Sequence, residues 1–448
     1  MAGAATVNTS NLPAGDPRAI LDREPMSGFQ WIIVAIMVGL NALDGFDVLS
    51  ISYASNGIRN EWGLAPDALG IVLSMELAGM AVGSLVLGGV ADAVGRRTTI
   101  IGSLLVMAAG MFAAAAAHNV TSLCIYRLIT GLGIGGLLAA INAASAEAAN
   151  ARNRALAVII MAAGYPMGSA VGGTISGFLL EHFQNWRAIF VFGGIVTLVF
   201  VPLVLWRSPE SIAFEVKRGG ADALARINRT LTRMGHPAAT VLPEPEVEPK
   251  KASTGELFSS SYATLSVMLV ITYFAHILTF YYIIKWIPRL VAQMGYPASA
   301  GNVLVAASVG GMLGALLLGL CTLKGRVTTL TIISMVLGTV FVIVFGMGWK
   351  SIGEITLAAG AAGFFTNAPI VGIYAIVAKA FPTHIRASAT GLVIGIGRGG
   401  AAVAPALAGF LFAGGFSLLT VSIMLGMGSA IAAIALFSIR KQVMAAGA

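Results

Sequence analysis

An all-α membrane protein with twelve transmembrane helices in two six-helix bundles is the fold class this sequence predicts, on three observations. Of 448 residues, 57% are apolar and only 10% are Asp, Glu, Lys or Arg, against roughly 25% charged residues in a soluble domain; mean hydropathy is +0.87. The apolar residues fall into windows of about 20, the length that crosses a hydrocarbon core. One long polar stretch then divides those windows into two equal sets, the plan of a paired-bundle transporter. The 55 glycines suit close helix packing in a bilayer.

The expected spans are approximately 31–55, 69–90, 98–117, 122–145, 154–179 and 188–206 in the first set. In the second they are 263–288, 300–320, 328–348, 352–376, 388–411 and 417–438. This divides the chain into an N-terminal tail (1–30), a first bundle (31–206), a central loop (207–260), a second bundle (261–439) and a C-terminal tail (440–448). The first 30 residues are polar and mixed in charge, without the basic, apolar and cleavage regions of a signal peptide. Within the central loop, Leu224, Ile227 and Leu231 share a stripe and predict an amphipathic helix near 221–233 at the cytoplasmic surface.

Basic residues orient the spans. With both termini cytoplasmic, 20 of the 27 Lys and Arg fall on inside segments, among them Arg96, Arg97, Arg152, Arg154, Lys324, Arg326, Lys379, Arg386, Arg440 and Lys441. The outside loops hold Arg59, Arg187, Arg289 and Lys350, and the spans hold Arg127, Lys285 and Arg398. That asymmetry satisfies the positive-inside rule. A basic surface beside anionic lipid then accounts for the net charge of +8 without nucleic acid. Cys124 and Cys321, in or beside apolar segments, imply no disulfide framework.

Ionisable side chains inside spans are costly and usually face a bundle interior or a polar cavity. Asp44 and Asp47, in NALDGFDVLS, lie three apart and so on one helix face. Asp44 is about 20 Å into the first span at 1.5 Å per residue, which favours a buried pair over a solvated turn. Two nearby carboxylates raise one another's proton affinity, a useful property in a group that loads and releases a proton. Gly45 between them permits close approach of backbone or substrate. Glu76, in mid-span two, is a second candidate for the proton or for a salt bridge. Arg127 can hold a carboxylate through two parallel hydrogen bonds, whether of an anionic substrate or of an aspartate. Glu147 closes span four and is expected to couple or gate by pairing with Arg152, Arg154 or Arg398. His276 in span seven can bind substrate or carry a proton, or be a neutral hydrogen-bonded residue; Lys285 and Arg289 are expected to snorkel to headgroups.

Aromatics concentrate in span seven (Tyr273, Phe274, Phe280, Tyr281, Tyr282, Trp286), and Phe364, Phe365, Asn367 and Tyr374 add a second group in span ten. Such walls can stack on an aromatic substrate, with an interfacial belt as the alternative for Trp286. His118, His182, His276 and His384 are scattered, no acidic ligand set is evident, and the glycine patterns lack a strand–loop–helix context. Neither a metal, nor a cofactor, nor an enzyme is expected.

The loop GGVADAVGRRTTI, through Gly88, Asp92, Gly95, Arg96 and Arg97, resembles the signature loop of the major facilitator superfamily. The corresponding second-half loop GLCTLKGRVTT keeps Gly319, Gly325 and Arg326 but has no acid matching Asp92. Arg127 with Gly131 and Gly133 is similar to that superfamily's fourth-span pattern, and Glu147 with Arg152 and Arg154 to its cytoplasmic end. FPTHIRASATGLVIGIGRGGAAVAP repeats the theme through Arg386, Gly391, Arg398 and Pro405. DGFD at 44–47 and KWIPRLVAQMGYPASAGN resemble the aromatic acid:proton symporters. The resemblance implies uptake of benzoate-like or hydroxybenzoate-like anions with protons across a bacterial inner membrane. It also implies importance for Asp44, Asp47, Arg127, Glu147, Arg386 and Arg398.

The expected mechanism is alternating access by a monomer. A proton neutralises Asp44 or Asp47, and Arg127 by preference, with Arg398, offsets the substrate charge. Tyr273, His276, Tyr282, Phe365 and Asn367 surround the substrate. Gly88, Asp92, Gly95, Arg96, Arg97, Arg152, Arg154 and Arg386 form the gating loops. Another small organic acid, or proton-driven efflux, is the alternative, since an exporter also needs membrane acids.

Overall fold

The computed structural model describes residue 13 and residues 15–243, 254–259, 262–322 and 327–446. Lys324, Gly325 and Arg326 of the second-half loop, and most of the proline-spaced run after 243, lie outside the described residues. The first half comprises α1 (Pro17–Arg23), α2 (Gly28–Trp62), α3 (Pro66–Val94), α4 (Arg96–Ala115), α5 (Val120–Ala148), α6 (Arg154–Phe183) and α7 (Arg187–Arg207). Then come α8 (Ile212–Arg218), α9 (Ala223–Met234) and a 3₁₀ turn at Thr254–Phe258. The second half comprises α10 (Ala263–Gln293), α11 (Ala300–Thr322), α12 (Val327–Gly346), α13 (Ile352–Ala380), α14 (Thr383–Ala413), α15 (Leu418–Ser438) and α16 (Arg440–Ala446). Among the described residues, twelve helices, α2–α7 and α10–α15, are long and apolar enough to cross a membrane.

Local chemistry sets the ends of these helices. Ser27 and Gln30 form a reciprocal capping box at the start of α2, and Gly63 ends it at φ 62°, a left-handed conformation that suits glycine. The first span is longer than apolarity alone predicts, because Arg59–Trp62 continue the helix to that glycine. Span seven likewise runs past Pro288 to Gln293.

Each half repeats one packing scheme. In the first, α3 packs on α5, α2 on α6, and α4 on α5 and α7; in the second, α11 packs on α13, α10 on α14, and α12 on α13 and α15. The halves meet through α3 with α14, α6 with α11, and α2 with α10. The chain alternates between two faces, one carrying α1, α8, α9 and α16 (the terminal face) and the other the α2–α3 turn (the far face).

At the far face the halves are sewn together. The Ala406 amide donates to Ser74 Oγ at 2.9 Å, and Asn56 Nδ2 donates to the Pro288 carbonyl at 3.2 Å. Gly70 of α3 and Gly409 of α14 pack so closely that a Cβ on Gly409 would lie 3.0 Å from the Gly70 Cα. The terminal face is built differently, with α1, α8 and α9 packed beneath the first half. Gln30 Nε2 donates to the Ala148 carbonyl at 2.8 Å, and His236 Nε2 lies 3.0 Å from Gln30 Oε1. Asn150 Nδ2 donates to the Glu24 carbonyl at 2.9 Å. The predicted amphipathic helix is α9, with Ile227 and Leu231 buried and Leu224 packed against the core.

Candidate functional site

The side chains of Asp44, Asp47, Glu76, Arg127 and Lys285 are 0% exposed. Burying a charge without a partner costs several kcal/mol, so the question is how each is compensated. Asp47 of α2 accepts from Arg127 Nη1 at 3.2 Å, and its backbone carbonyl accepts from Arg127 Nη2 at 3.0 Å. Arg127 Nη2 also pairs with Glu76 Oε1 of α3, while the guanidinium lies 5.2 Å from the Phe190 ring centroid. Glu76 Oε2 is 3.5 Å from Lys285 Nζ of α10, which reaches across from the other half and also donates to the Val48 carbonyl. Ionised, these four groups sum to zero charge.

Asp44 stands apart. Neither of its carboxylate oxygens has a hydrogen-bond partner, and, unlike Asp47 and Glu76, it makes no ion pair among the described residues. Arg398 of α14 is the cation that acts on it most strongly, yet among the described residues Arg398 makes neither a hydrogen bond nor an ion pair. Arg398 is only partly buried, as are Tyr165, Tyr281 and Tyr374. Tyr273 and Tyr374, whose hydroxyls are 2.9 Å apart, and Tyr281 act on the same guanidinium. Tyr165 of α6 and Tyr281 of α10 lie within electrostatic reach of each other and of Asp44, and the Tyr165 hydroxyl has no hydrogen-bond partner. An unpaired carboxylate from one half and an unpaired guanidinium from the other thus lie within electrostatic reach of each other, among four tyrosines. Gly45 sets the position of Asp44, because the Tyr165 carbonyl lies where a Cβ would stand; Ser169 Oγ donates to the Gly45 carbonyl at 3.1 Å. The approach that Gly45 permits is therefore to backbone.

Other predicted residues fall in different places. His276 is buried with both nitrogens engaged, Nδ1 to Ser429 Oγ at 2.9 Å and Nε2 to the Thr366 carbonyl at 2.7 Å, the hydrogen-bonded alternative. The Tyr282 hydroxyl is 2.7 Å from Ser422 Oγ inside the second half. Phe365 stacks on Phe341 of α12, with centroids 5.1 Å apart at 6°, and so packs toward α12 within its own half. Asn367 lies against Gly311 of α11. Lys285 does not snorkel: it is fully buried on Glu76, because α10 packs against α2 and the side chain reaches past it to Glu76 of α3. Arg127, favoured from sequence as the anion holder, has both terminal nitrogens occupied by acceptors of its own half.

At the terminal face, Glu147 pairs with Arg96 at 2.9 Å, not with the expected Arg152, Arg154 or Arg398, because the α3–α4 turn brings Arg96 against the end of α5. Arg96 also pairs with Asp92 at 2.9 Å. Gly95 adopts φ 101°, and Glu210 caps α4 by accepting from the Arg96 amide at 2.8 Å and the Arg97 amide at 3.2 Å. Arg97 donates to the Leu205 carbonyl at 2.5 Å and Arg154 pairs with Asp22. Arg152 is exposed, Arg386 donates to the Phe381 carbonyl at 3.2 Å, and Gly88 lies within α3. Sequence reading passed over Tyr165, Glu210 and the role of Lys285. A tyrosine amid the small residues of AAGYPMG, and a lysine eight residues inside α10, were the available signals.

Twelve helices in two similarly packed halves, with polar groups from both halves meeting at mid-depth, define a multi-pass membrane transporter. The family model described as Major Facilitator Superfamily matches residues 34–353. The chain belongs to the major facilitator superfamily. It is 30% identical over 430 residues to a 4-hydroxybenzoate transporter, PcaK, of Acinetobacter baylyi, covering 94% of this chain and 93% of that one. It is 28% identical over 428 residues to a gallate transporter of Pseudomonas putida, covering 94% of each. Among solved structures, the xylose transporter XylE of E. coli, in a partially occluded inward open conformation, superposes with a TM-score of 0.72 at 16% identity. That superposition covers 92% of this chain and 99% of XylE, and shows the shared fold.

Proposed function

We propose that the protein takes up an aromatic carboxylate together with a proton by alternating access across a bacterial inner membrane. In this reading the terminal face is cytoplasmic, as the excess of Lys and Arg there supports. The observation that carries the proposal is the unpaired Asp44–Arg398 couple within its ring of tyrosines. A substrate carboxylate takes two charge-assisted hydrogen bonds from Arg398, and its ring packs among Tyr165, Tyr273, Tyr281 and Tyr374. The relatives named for 4-hydroxybenzoate and gallate support a hydroxylated benzoate.

Coupling follows from charge. When the substrate anion occupies Arg398, Asp44 loses its strongest counter-ion and faces a second negative charge in a low-dielectric site, so it binds a proton. After the halves rock to the state closed at the far face, the substrate leaves toward the cytoplasm. Arg398 then returns to Asp44, which releases its proton inward. One proton with one monoanion moves no net charge, so a gradient of one pH unit drives about tenfold accumulation, about 1.4 kcal/mol.

Proteoliposomes test this. Under an inward proton gradient, the wild-type protein should accumulate radiolabelled 4-hydroxybenzoate, with competition from benzoates. Asp44→Asn should lose accumulation but retain exchange between labelled and unlabelled substrate. Accumulation of an aliphatic acid with no response to any aromatic acid would overturn the substrate assignment. Export driven by the same gradient would establish efflux instead.

A further inference from the structure

The far-face seam brings together two cations. Arg59, near the end of α2, and Arg289, near the end of α10, belong to opposite halves, and both are partly buried. Asn56 fixes their proximity. Its Nδ2 donates to the carbonyl of Pro288, the neighbour of Arg289, at 3.2 Å, and Arg59 stands three residues further along the same face of α2. The two guanidiniums lie within electrostatic reach of each other, yet among the described residues neither makes a side-chain hydrogen bond or an ion pair. Arg59 Nε is buried without an acceptor and Asn56 Oδ1 without a donor. The acids of this face are not their partners: Glu61 is held by Arg187, Glu354 caps α13 through Ser351, and Asp67 in the first turn of α3 pairs with neither. Like charges repel across the seam, and a buried polar atom left unpaired costs about 1–3 kcal/mol. Both costs fall when an anion lies between the two guanidiniums.

We infer that Arg59 and Arg289 form an outer binding site for a carboxylate, that of the substrate on its way to Arg398. This rests on the uptake reading above, which puts the far face outside. When that face opens, α2 and α10 part, and the two arginines stand on opposite lips of the entrance. Arg59 is then about 22 Å from Asp44 along α2, at 1.5 Å per residue, so an incoming anion meets it well before the Asp44–Arg398 couple. A planar guanidinium matches a carboxylate through two parallel hydrogen bonds and holds a spherical ion or an uncharged solute less well. Cations lining a cleft mouth also raise the arrival rate of anions, about tenfold or more at low ionic strength. The outer site therefore governs how fast substrate loads, and leaves proton coupling to the residues at mid-depth. Chloride from the medium is the competing anion, and the measurements below separate it from a carboxylate.

Occupancy is measured by chemical protection, without transport. Phenylglyoxal modifies accessible guanidiniums, and peptide mass spectrometry reads Arg59, Arg289 and, as an internal control, Arg187, which Glu61 already holds. About 10 mM 4-hydroxybenzoate should slow modification of Arg59 and Arg289 at least threefold and leave Arg187 unchanged. Equal concentrations of 4-hydroxybenzyl alcohol or sodium chloride should protect neither. The protection should persist in Arg398→Gln, which disables the inner site. No protection, equal protection by chloride, or protection that vanishes in Arg398→Gln overturns the inference. In proteoliposomes, Arg59→Gln/Arg289→Gln should raise KM for 4-hydroxybenzoate about tenfold at about 10 mM ionic strength, with the maximal rate within twofold of wild type. The difference should shrink below threefold at about 0.3 M, where screening is strong, and Arg59→Lys/Arg289→Lys should recover most of the loss. An unchanged KM at low ionic strength, or a fall in maximal rate alone, marks a purely structural seam and overturns the inference. Protection by acetate in a wild-type protein that takes up no aromatic acid would keep the outer carboxylate site and overturn the substrate reading alone.

Discussion

Two arginines inside the spans, Arg127 fully buried and Arg398 partly so, are open to the same substitution with opposite expected consequences. Arg398 has no hydrogen bond or ion pair among the described residues, so Arg398→Gln breaks no native contact of that kind. It removes two charge-assisted hydrogen bonds to the substrate carboxylate, each worth about 1.5–3 kcal/mol, part of which the glutamine amide restores. A net loss of about 3 kcal/mol corresponds to roughly 150-fold weaker binding, with thermal stability close to wild type. Arg127→Gln instead strands Asp47 and Glu76, both 0% exposed, opposite Lys285 alone. Removing one partner from a buried ion pair destabilises by about 3–5 kcal/mol. The assays are binding of radiolabelled 4-hydroxybenzoate to purified protein, and the melting temperature of each variant in detergent. Unchanged affinity in Arg398→Gln, alongside a stable Arg127→Gln that no longer binds, would return the anion site to Arg127 and refute the assignment.

Three further outcomes are expected. Gly45→Ala drives a methyl group into the Tyr165 carbonyl, so α2 and α6 must separate; an overpacking cost of about 1–3 kcal/mol should appear as a lower melting temperature and reduced uptake. Glu210→Ala removes the cap on the first amides of α4 and should cost about 0.5–2 kcal/mol, read as faster hydrogen exchange at 96–99. Burial holds the proton affinity of His236 below its ordinary value, with Glu24 partly offsetting this. Its contribution to stability is therefore complete above the unfolded value of about 6.5 and falls as pH drops through that value. Limited proteolysis between α9 and residue 243 should accelerate from pH 7.5 to 5.5, and His236→Gln should remove that pH dependence.

Much of this architecture was readable before any contact was known, because a bilayer imposes a length and an apolarity that a linear scan detects. The amphipathic stripe through Ile227 and Leu231 was legible for the same reason, periodicity being a local property. Even the cluster's membership was visible, since Asp44, Asp47, Glu76 and Arg127 are conspicuous where charge is costly. Pairing was not legible. Lys285 lies close enough to the end of α10 to suit snorkelling, and only the packing of α10 against α2 carries its amine to Glu76. Glu147 had three plausible cations in sequence, and the α3–α4 turn supplied a fourth, Arg96.

By itself, then, the sequence determined twelve spans, their division into two halves and the presence of acids and bases inside the membrane, because these follow from local composition and period. Tertiary structure decided which charges neutralise one another and which stand free. Asp47 and Arg127 are closed by mutual pairing, whereas Asp44 and Arg398, on different halves, make no hydrogen bond or ion pair among the described residues. That distinction depends on distances between residues more than 350 positions apart in the chain, which helix packing sets and no local pattern encodes.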